Sequence, residues 1–351
     1  MMEKKIVLSV IVPVYNTEKY LKRCLDSIVE ALKNFKYNYE VLVINDGSTG
    51  NEEKIIKEYL NSEFFYFKKE NGGLANTKNF GIEKSRGLYL SFIDSDDYID
   101  ENFYNEAFDK YITKDNLNDI VVYDWETIDV KNNSSYVVEA KNFKYSDDKK
   151  GCMDCMIMPS SCNKIVKKEL FFNLRFPDGY IYEDLGTTPI LFCRTNKIKY
   201  INKPYYKYYL SESSIMRSSF NEKNLQMIDI FDILFKRLGN EDKLNYDEKS
   251  KIIYEVFTRR FYESILEPMI ELNFKERYKL LRILSRKIRE IKIELKNNYY
   301  LNLKIKSNGT IKSFFNKFLM FSLYNKFDFM SALLITKRLY YKLIHIKYTS
   351  I

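Results

Sequence analysis

Three aspartates within four residues could together bind a divalent cation. Asp94, Asp96 and Asp97 directly follow an apolar stretch, residues 88–93, whose composition is that of a buried strand. Carboxylates suit hard cations such as Mg²⁺ and Mn²⁺, and a cation held there could neutralise the charge of a bound diphosphate. Because acidic turns are common on protein surfaces, this cluster by itself also fits a turn that binds nothing.

An earlier segment has the composition of a phosphate-binding site. Gly72 and Gly73 follow Asn71, and Lys78 comes shortly afterwards. Glycines let the backbone approach a ligand closely, and a lysine offers positive charge to phosphate. The alternative for Lys78 is a solvated lysine on a helix. Together with the acidic cluster, the segment predicts a nucleotide diphosphate site.

These residues follow strands in an alternating pattern of strands and helices. The repetition predicts an α/β fold with a doubly wound, mostly parallel, Rossmann-like sheet. Ligands bind beyond the carboxyl ends of the strands in such sheets, so the polar residues there should meet in one crevice. The predicted strands are 6–12, 40–44, 64–67, 88–93 and 120–123, and the predicted helices begin near residues 17, 52, 74 and 102.

From residue 221 onward, apolar positions recur with helical spacing. This spacing predicts a helical C-terminal region over 216–351 after a first domain over 1–215.

Composition and cysteine usage exclude several classes of protein. A chain of 351 residues with 45% hydrophobic content can bury a large core. Its first apolar run is too short for a signal peptide or a spanning helix. Its five cysteines form no regular framework, so we expect reduced thiols and a cytoplasmic location. Cys152 and Cys155 form a lone CxxC near Cys162, but the single histidine, His345, is distant. A structural zinc site is therefore not expected, and neither is a histidine base.

The sequence lacks the signatures of two classes of nucleotide-binding protein. No GxGxxG follows the first strand, so a dinucleotide oxidoreductase is not predicted. No GxxxxGK[ST] occurs either, which argues against a P-loop phosphotransferase.

Five motifs resemble those of the family 2 glycosyltransferases of the GT-A fold, of the bacterial polysaccharide type. They are PVYN, NDGST, ENGGLANTKNFGI, FIDSDD and IYEDLGT, and the resemblance extends over about residues 8–214. It implies a nucleotide-sugar half near 1–125 and an acceptor half near 126–215. It also implies a hexosyltransferase that uses Mn²⁺ or Mg²⁺ and moves a sugar, with inversion, from a nucleotide diphosphate donor, in particular UDP-hexose or UDP-N-acetylhexosamine. The acceptor would be a hydroxyl of a glycan or lipid-linked glycan in cell-surface polysaccharide synthesis. The alternative is a non-catalytic protein of the same fold that binds nucleotide sugars or carbohydrate.

The resemblance assigns the donor site residue by residue. Asp46 would hold the nucleotide base, with Pro13 and Tyr15 flanking it, and Asn71 would contact the nucleotide. Lys78 would contact the diphosphate, although most relatives carry arginine there, so the charge is kept and the bidentate fork is lost.

The same resemblance assigns the chemistry. Asp96 would bind the metal, Asp94 the ribose or the metal, and Asp97 would be a further ligand or only an acceptor behind it. Asp184 would be the general base that deprotonates the acceptor hydroxyl, and Glu183 would orient it or bind the acceptor. The alternative for Asp184 is a cap on the following helix. Trp125 fits a sugar-stacking platform and core packing equally well.

The last 56 residues, 296–351, carry the whole net charge of +9, because they hold ten Lys or Arg and one acid, Asp328. Phenylalanines and leucines are interleaved with these cations, as in segments that lie at a membrane interface. A helical pair with a solvated basic face fits equally well, and nucleic acid is not expected because no binding module accompanies the charge. Co-sedimentation with anionic liposomes at low and high salt distinguishes these interpretations.

Overall fold

The computed structural model describes residues 5–113, 117–138, 159–210 and 220–291. The chain forms two compact units, residues 1–218 and 219–351, and each is described by itself. Cys152, Cys155 and the basic aromatic tail lie outside the described residues, so the predictions made for them stay predictions.

The first half of the sheet consists of four parallel strands connected through helices. β1 (Leu8–Val14) is buried along its whole length, as its high content of Val and other apolar residues predicts. It lies between β2 (Tyr39–Asn45) and β4 (Tyr89–Phe92), and β3 (Phe64–Lys68) pairs with β2. The connecting helices are α1 (Glu18–Leu32), α2 (Glu52–Lys57) and α3 (Gly73–Lys84).

The second half of the sheet is mixed. Beyond β4 lie β8 (Lys164–Lys167), β6 (Ile120–Asp129), β9 (Ile198–Leu210) and β5 (Tyr98–Ile99), so the order is β3-β2-β1-β4-β8-β6-β9-β5. β8 is antiparallel to both neighbours, β6 and β9 are parallel, and β7 (Ser134–Val138) pairs with β6 outside this path. The α/β fold with a mostly parallel sheet is confirmed, although the strand predicted at 120–123 runs on to Asp129 and is separated from β4 by β8. The remaining elements of this unit are α4 (Asn105–Lys110), a 3₁₀ turn (Lys168–Phe171) and α5 (Thr188–Cys193).

The strand order reverses direction between β1 and β4. β2 and β3 follow on one side of β1, whereas the later strands lie on the side of β4. At such a switch point the connections leave toward opposite faces of the sheet, which opens a crevice at the carboxyl ends of the strands. The acidic cluster follows β4 at this edge.

Helix α3 approaches the sheet closely at Gly81. A Cβ built on Gly81 would lie 2.4 Å from Cγ2 of Ile11 and 3.1 Å from Cδ1 of Ile44. These contacts are with β1 and β2, so the glycine sets the distance between α3 and the sheet that carries the site.

We expect Gly81→Ala to destabilise the protein by about 1–3 kcal/mol, because the added methyl group overpacks a close helix–sheet contact. Urea-induced unfolding followed by circular dichroism measures this change. Gly239→Ala is the matched control, since a Cβ on Gly239 meets no atom within 4 Å, and alanine is the better helix former. Equal stability of the two variants would contradict the close contact.

The second unit is helical over its described residues. A 3₁₀ turn (Glu222–Leu225), capped by Asn221, leads into α6 (Gln226–Gly239). α7 (Tyr246–Phe261) continues through a π turn (Tyr262–Leu266) into α8 (Glu267–Ile270), and α9 (Phe274–Glu290) begins at the cap Asn273. Apolar side chains such as those of Phe231 and Phe257, whose ring centroids are 5.0 Å apart, form its core. Within the described part of the chain, no helix is both long enough and apolar enough to span a membrane.

Candidate functional site

The acidic turn after β4 is anchored by hydrogen bonds to β9. The carboxylate of Asp97 is fully buried and accepts hydrogen bonds from the hydroxyl of Tyr206 at 2.5 Å and from the backbone N–H of Tyr209 at 2.7 Å. The same hydroxyl accepts a bond from the backbone N–H of Asp94 at 3.4 Å. Burial, together with the charges of Asp96 and Asp94, raises the pKa of Asp97 well above its ordinary value. These contacts occupy both carboxylate oxygens of Asp97 and tie the acidic turn to β9.

The other two carboxylates of the turn, those of Asp94 and Asp96, are half-buried. Burial raises the pKa of Asp94 to about 6, with Asp96 and Asp184 adding to the effect and Lys78 opposing it. Burial also raises the pKa of Asp96. Among the described residues, no donor lies within hydrogen-bond distance of the buried Oδ1 of Asp94. A buried carboxylate oxygen without a partner is costly, so this atom is suited to receive a cation or a hydroxyl from a ligand.

Two side chains, one on α1 and one just before it, form hydrogen bonds with the acidic turn. Nη2 of Arg23 donates to the carbonyl oxygen of Asp96 at 2.7 Å, and its guanidinium lies 3.8 Å from the ring centroid of Tyr209. The hydroxyls of Thr17 and Ser95 are 2.9 Å apart. Arg23 was not predicted, because a single arginine on an amphipathic helix resembles any solvated cation.

Lys78 lies at the centre of a buried charge cluster. Its side chain is 1% exposed, and its Nζ donates to Oε1 of Glu183 at 2.9 Å, to Oδ1 of Asp184 at 3.1 Å and to Oγ of Ser161 at 3.0 Å. Burial opposes the charged form of Lys78, but Asp184, Glu183 and Asp94 outweigh it and raise the pKa of Lys78 well above its ordinary value. Burial raises the pKa of Glu183, with Lys78 opposing the shift and Asp184 adding to it.

This cluster changes the interpretation of Lys78. The alternative of a solvated helix lysine is wrong, because the side chain is buried. An ammonium group has three donors, and all three are used within the protein. The structure thus directs Lys78 toward the Glu183–Asp184 pair, whereas the sequence had assigned it to the diphosphate.

Asp184 is held at both carboxylate oxygens. Its Oδ1 accepts from Lys78, and its Oδ2 accepts from the backbone N–H of Ser161 at 3.1 Å. The cap of α5 is Thr187, without a side-chain cap bond, so the alternative in which Asp184 caps this helix is not observed. The Asp184 side chain is 22% exposed, compared with 9% for Glu183, which makes Asp184 the more accessible of the pair.

Asp46 connects the end of β2 to the glycine segment. Its carboxylate accepts hydrogen bonds from Nζ of Lys69, from the N–H of Gly72 at 2.9 Å and from the N–H of Gly73 at 2.8 Å. Gly73 has a φ of 85°, a conformation that favours glycine. Nδ2 of Asn71 donates to the backbone carbonyl of Asp46 at 3.0 Å. Three donors leave about one of the roughly four acceptor sites of a carboxylate for a ligand.

Pro13 and Tyr15 lie at the end of β1. Pro13 is buried and pairs with Ile44, while Tyr15 is 49% exposed at the crevice edge of the sheet. The next residue, Asn16, has a φ of 52° and accepts from the N–H of Thr49 at 3.0 Å. The first two strand ends are thereby joined directly.

Trp125 is half-buried and packs against the core of the sheet domain. Its Nε1 donates to Oγ1 of Thr127 at 3.2 Å. The contacts match the core-packing alternative, and the remaining exposure leaves part of the ring available.

The acidic turn fits a divalent cation only together with a bound ligand. Within the described ranges, no group of three or more His, Cys, Asp or Glu side chains could hold a metal ion. Asp94 and Asp96 supply two carboxylates, and Oδ1 of Asp94 is buried without a protein partner. Mg²⁺ commonly binds through one or two carboxylates plus substrate phosphates and water. The residues present therefore fit a cation that arrives with a diphosphate.

The sequence is similar to those of known proteins. Residues 9–173 match the profile of the family described as Glycosyl transferase family 2. Glycosyltransferase GlyG of Streptococcus pneumoniae is 30% identical over 250 residues, which cover 67% of this chain and 80% of GlyG. The minor teichoic acid biosynthesis protein GgaB of Bacillus subtilis is 26% identical over 323 residues, and the chain spans only 35% of its length.

A solved structure has the same fold. The chain aligns with residues 1–349 of S. aureus TarS in complex with UDP-GlcNAc, with a TM-score of 0.68 and 23% identity over 81% of each chain.

Proposed function

Because the chain belongs to the family 2 glycosyltransferases, and is thus a glycosyltransferase, we propose that it transfers a sugar with inversion from a UDP-sugar to a glycan hydroxyl. UDP-hexose and UDP-N-acetylhexosamine are the proposed donors, and cell-surface polysaccharide is the proposed product. The names of two neighbours support this choice, since GgaB acts in teichoic acid biosynthesis and TarS was solved with UDP-GlcNAc.

One observation carries the proposal, namely that the acidic turn and the Glu183–Asp184 pair belong to one electrostatic cluster. The charge of Asp184 contributes to the raised pKa of Asp94, and Lys78 interacts with both. Asp94, which would help to stabilise the leaving diphosphate, and Asp184, which would accept the proton, are thus close together. An inverting transfer needs these two functions and no covalent nucleophile.

In the proposed reaction, Asp184 accepts the proton of the acceptor hydroxyl while the acceptor oxygen bonds to the anomeric carbon. The bond between that carbon and the diphosphate oxygen breaks on the opposite face, and UDP leaves with the electron pair. Asp94 and Asp96 would hold Mn²⁺ or Mg²⁺, which would neutralise charge on the departing diphosphate. Asp97 keeps the turn in place from behind, as its bonds to Tyr206 and Tyr209 show.

The nucleotide would lie over the ends of β1 and β2. Tyr15 is exposed there and would offer an aromatic face to the base, while Pro13 is buried at the end of the same strand. Asp46 is held rigidly by Lys69 and by two glycine N–H groups, with about one acceptor site free for the base. Asn71 remains exposed beside it.

Release of UDP tests the proposal directly. We expect UDP to form from UDP-GlcNAc, UDP-glucose or a related UDP-sugar when Mn²⁺ and an acceptor glycan are present, and to stop in excess EDTA. A panel of nucleotide sugars, screened by thermal shift with and without Mn²⁺, identifies the donor, because a bound ligand stabilises the folded state according to its affinity. Full transfer in excess chelator would contradict the metal requirement, and binding of donor without turnover would favour the non-catalytic alternative.

Attachment to the inner face of the cell membrane is a further part of the proposal. It rests on the sequence of residues 296–351 alone.

A further inference from the structure

We propose that Lys78 is a positioning residue that holds the general base Asp184 in its reactive orientation, and that it is not a diphosphate contact. This inference rests on the proposed function, since it assigns a role within the proposed transfer reaction. The assignment differs from the one that the motif suggests, and it follows from the contacts of the side chain.

All three N–H donors of Lys78 bond to groups of the protein itself. Nζ of Lys78 donates to one oxygen of Glu183, one of Asp184 and the hydroxyl of Ser161, at 2.9 to 3.1 Å. A contact with phosphate would require one of these bonds to break in a site where the lysine is 1% exposed. Leaving a buried carboxylate without its partner is costly, so the ion pairs should persist when the donor binds.

Both carboxylate oxygens of Asp184 accept hydrogen bonds from the protein. Lys78 binds Oδ1, and the backbone N–H of Ser161 binds Oδ2, so the plane of the carboxylate is fixed from both sides. The Ser161 hydroxyl also accepts from Lys78, which links the two supports. A base held in this way can still accept a proton, because each oxygen accepts one of these hydrogen bonds and retains acceptor capacity.

The hydrogen bonds of Lys78 join segments that are far apart in the sequence. Lys78 belongs to α3, whereas its two carboxylate partners are 105 and 106 residues later and Ser161 is 83 residues later. The lysine therefore fastens the segment that carries the base to a helix that packs directly on the sheet. Misplacing a reacting group by about 1 Å can cost about 100-fold in rate.

The test separates catalytic rate from donor affinity. We expect Lys78→Met to lower kcat for UDP release about 10- to 100-fold. The Kd for UDP in the presence of Mn²⁺, measured by isothermal titration calorimetry, should stay within about threefold, since no donor of Lys78 is left for phosphate. Lys78→Arg keeps the charge and should recover part of kcat. Lys84→Met, an exposed lysine on the same helix, is the matched control and should behave as the wild type.

The opposite pattern would overturn the inference. If Lys78→Met weakens UDP binding at least tenfold while kcat changes little, the lysine is a phosphate contact. Should this variant fail to fold, Ser161→Ala gives the answer, since it removes one partner of Lys78 and leaves the charges in place. We expect it to lower kcat severalfold with unchanged Kd for UDP, and an unchanged kcat would contradict the linked support. A wild-type protein that binds no UDP and releases none would instead refute the proposed function, and the role of Lys78 with it.

Discussion

Asp184→Asn is expected to lower transfer by roughly two to four orders of magnitude, the usual contribution of a positioned general base. The amide cannot accept the proton of the acceptor hydroxyl. Affinity for UDP with Mn²⁺ should change little, because the Asp184 carboxylate bonds to Ser161 and to Lys78, whose three donors are all used within the protein. Initial rates of UDP release with an acceptor glycan, together with calorimetric titration of UDP, measure the two quantities separately.

The structure predicts one complication for this variant. Both oxygens of Asp184 accept from donors, whereas asparagine has one oxygen and one NH₂ group. In either orientation the NH₂ group would face Nζ of Lys78 or the N–H of Ser161. We therefore expect some loss of thermal stability, and Glu183→Gln is the matched comparison, since that carboxylate binds the same lysine. Near-normal transfer by Asp184→Asn and a large loss in Glu183→Gln would move the base to Glu183.

Asp96→Asn is expected to abolish most metal-dependent turnover, with a loss of at least about 100-fold, because a metal ion contributes several kcal/mol of charge stabilisation at the leaving group. Folding should be nearly unaffected. The carboxylate of Asp96 is half-buried beside two other aspartates, so removing its charge reduces repulsion and creates no cavity. The backbone of the turn would still be held by Arg23 and Asp97.

The readout for Asp96→Asn includes binding as well as rate. Titration of Mn²⁺ in the presence of UDP should show weaker metal affinity, while urea unfolding should match the wild type. Asp109→Asn, which changes an exposed carboxylate paired with Lys36, is the control and should keep both activity and metal affinity. Wild-type Mn²⁺ affinity in Asp96→Asn would show that the metal is bound elsewhere.

Much of the first half of the fold is predictable from local pattern. β1 and β2 are buried on both faces of the sheet, and runs rich in Val, Ile and Leu are typical of such strands. The periodicity of α1 places Leu21, Leu25 and Ile28 on one buried side. Because the polar motifs follow these strands, their meeting at one edge of the sheet also follows from the sequence.

The second half of the sheet was harder to predict for a physical reason. β8 inserts between β4 and β6 with antiparallel pairing, and it comes from a segment more than 40 residues beyond the start of β6. Pairing between strands depends on backbone hydrogen bonds that any short apolar segment can form. Local composition therefore leaves the pairing partners of Lys164–Lys167 open.

The sequence by itself determined the residue types at the site, their positions after strands and the family to which they belong. Tertiary structure alone decided which of these groups touch. A lysine in a polar helical stretch has the pattern of a solvated residue, and only the approach of Glu183 and Asp184, 105 and 106 residues later, offsets the cost of burying Lys78. The same holds for Asp97, whose partner Tyr206 is 109 residues away. Hydrophobic periodicity records which side of an element is buried, but a buried charge is stable only with a particular partner, and that partner is supplied by the fold.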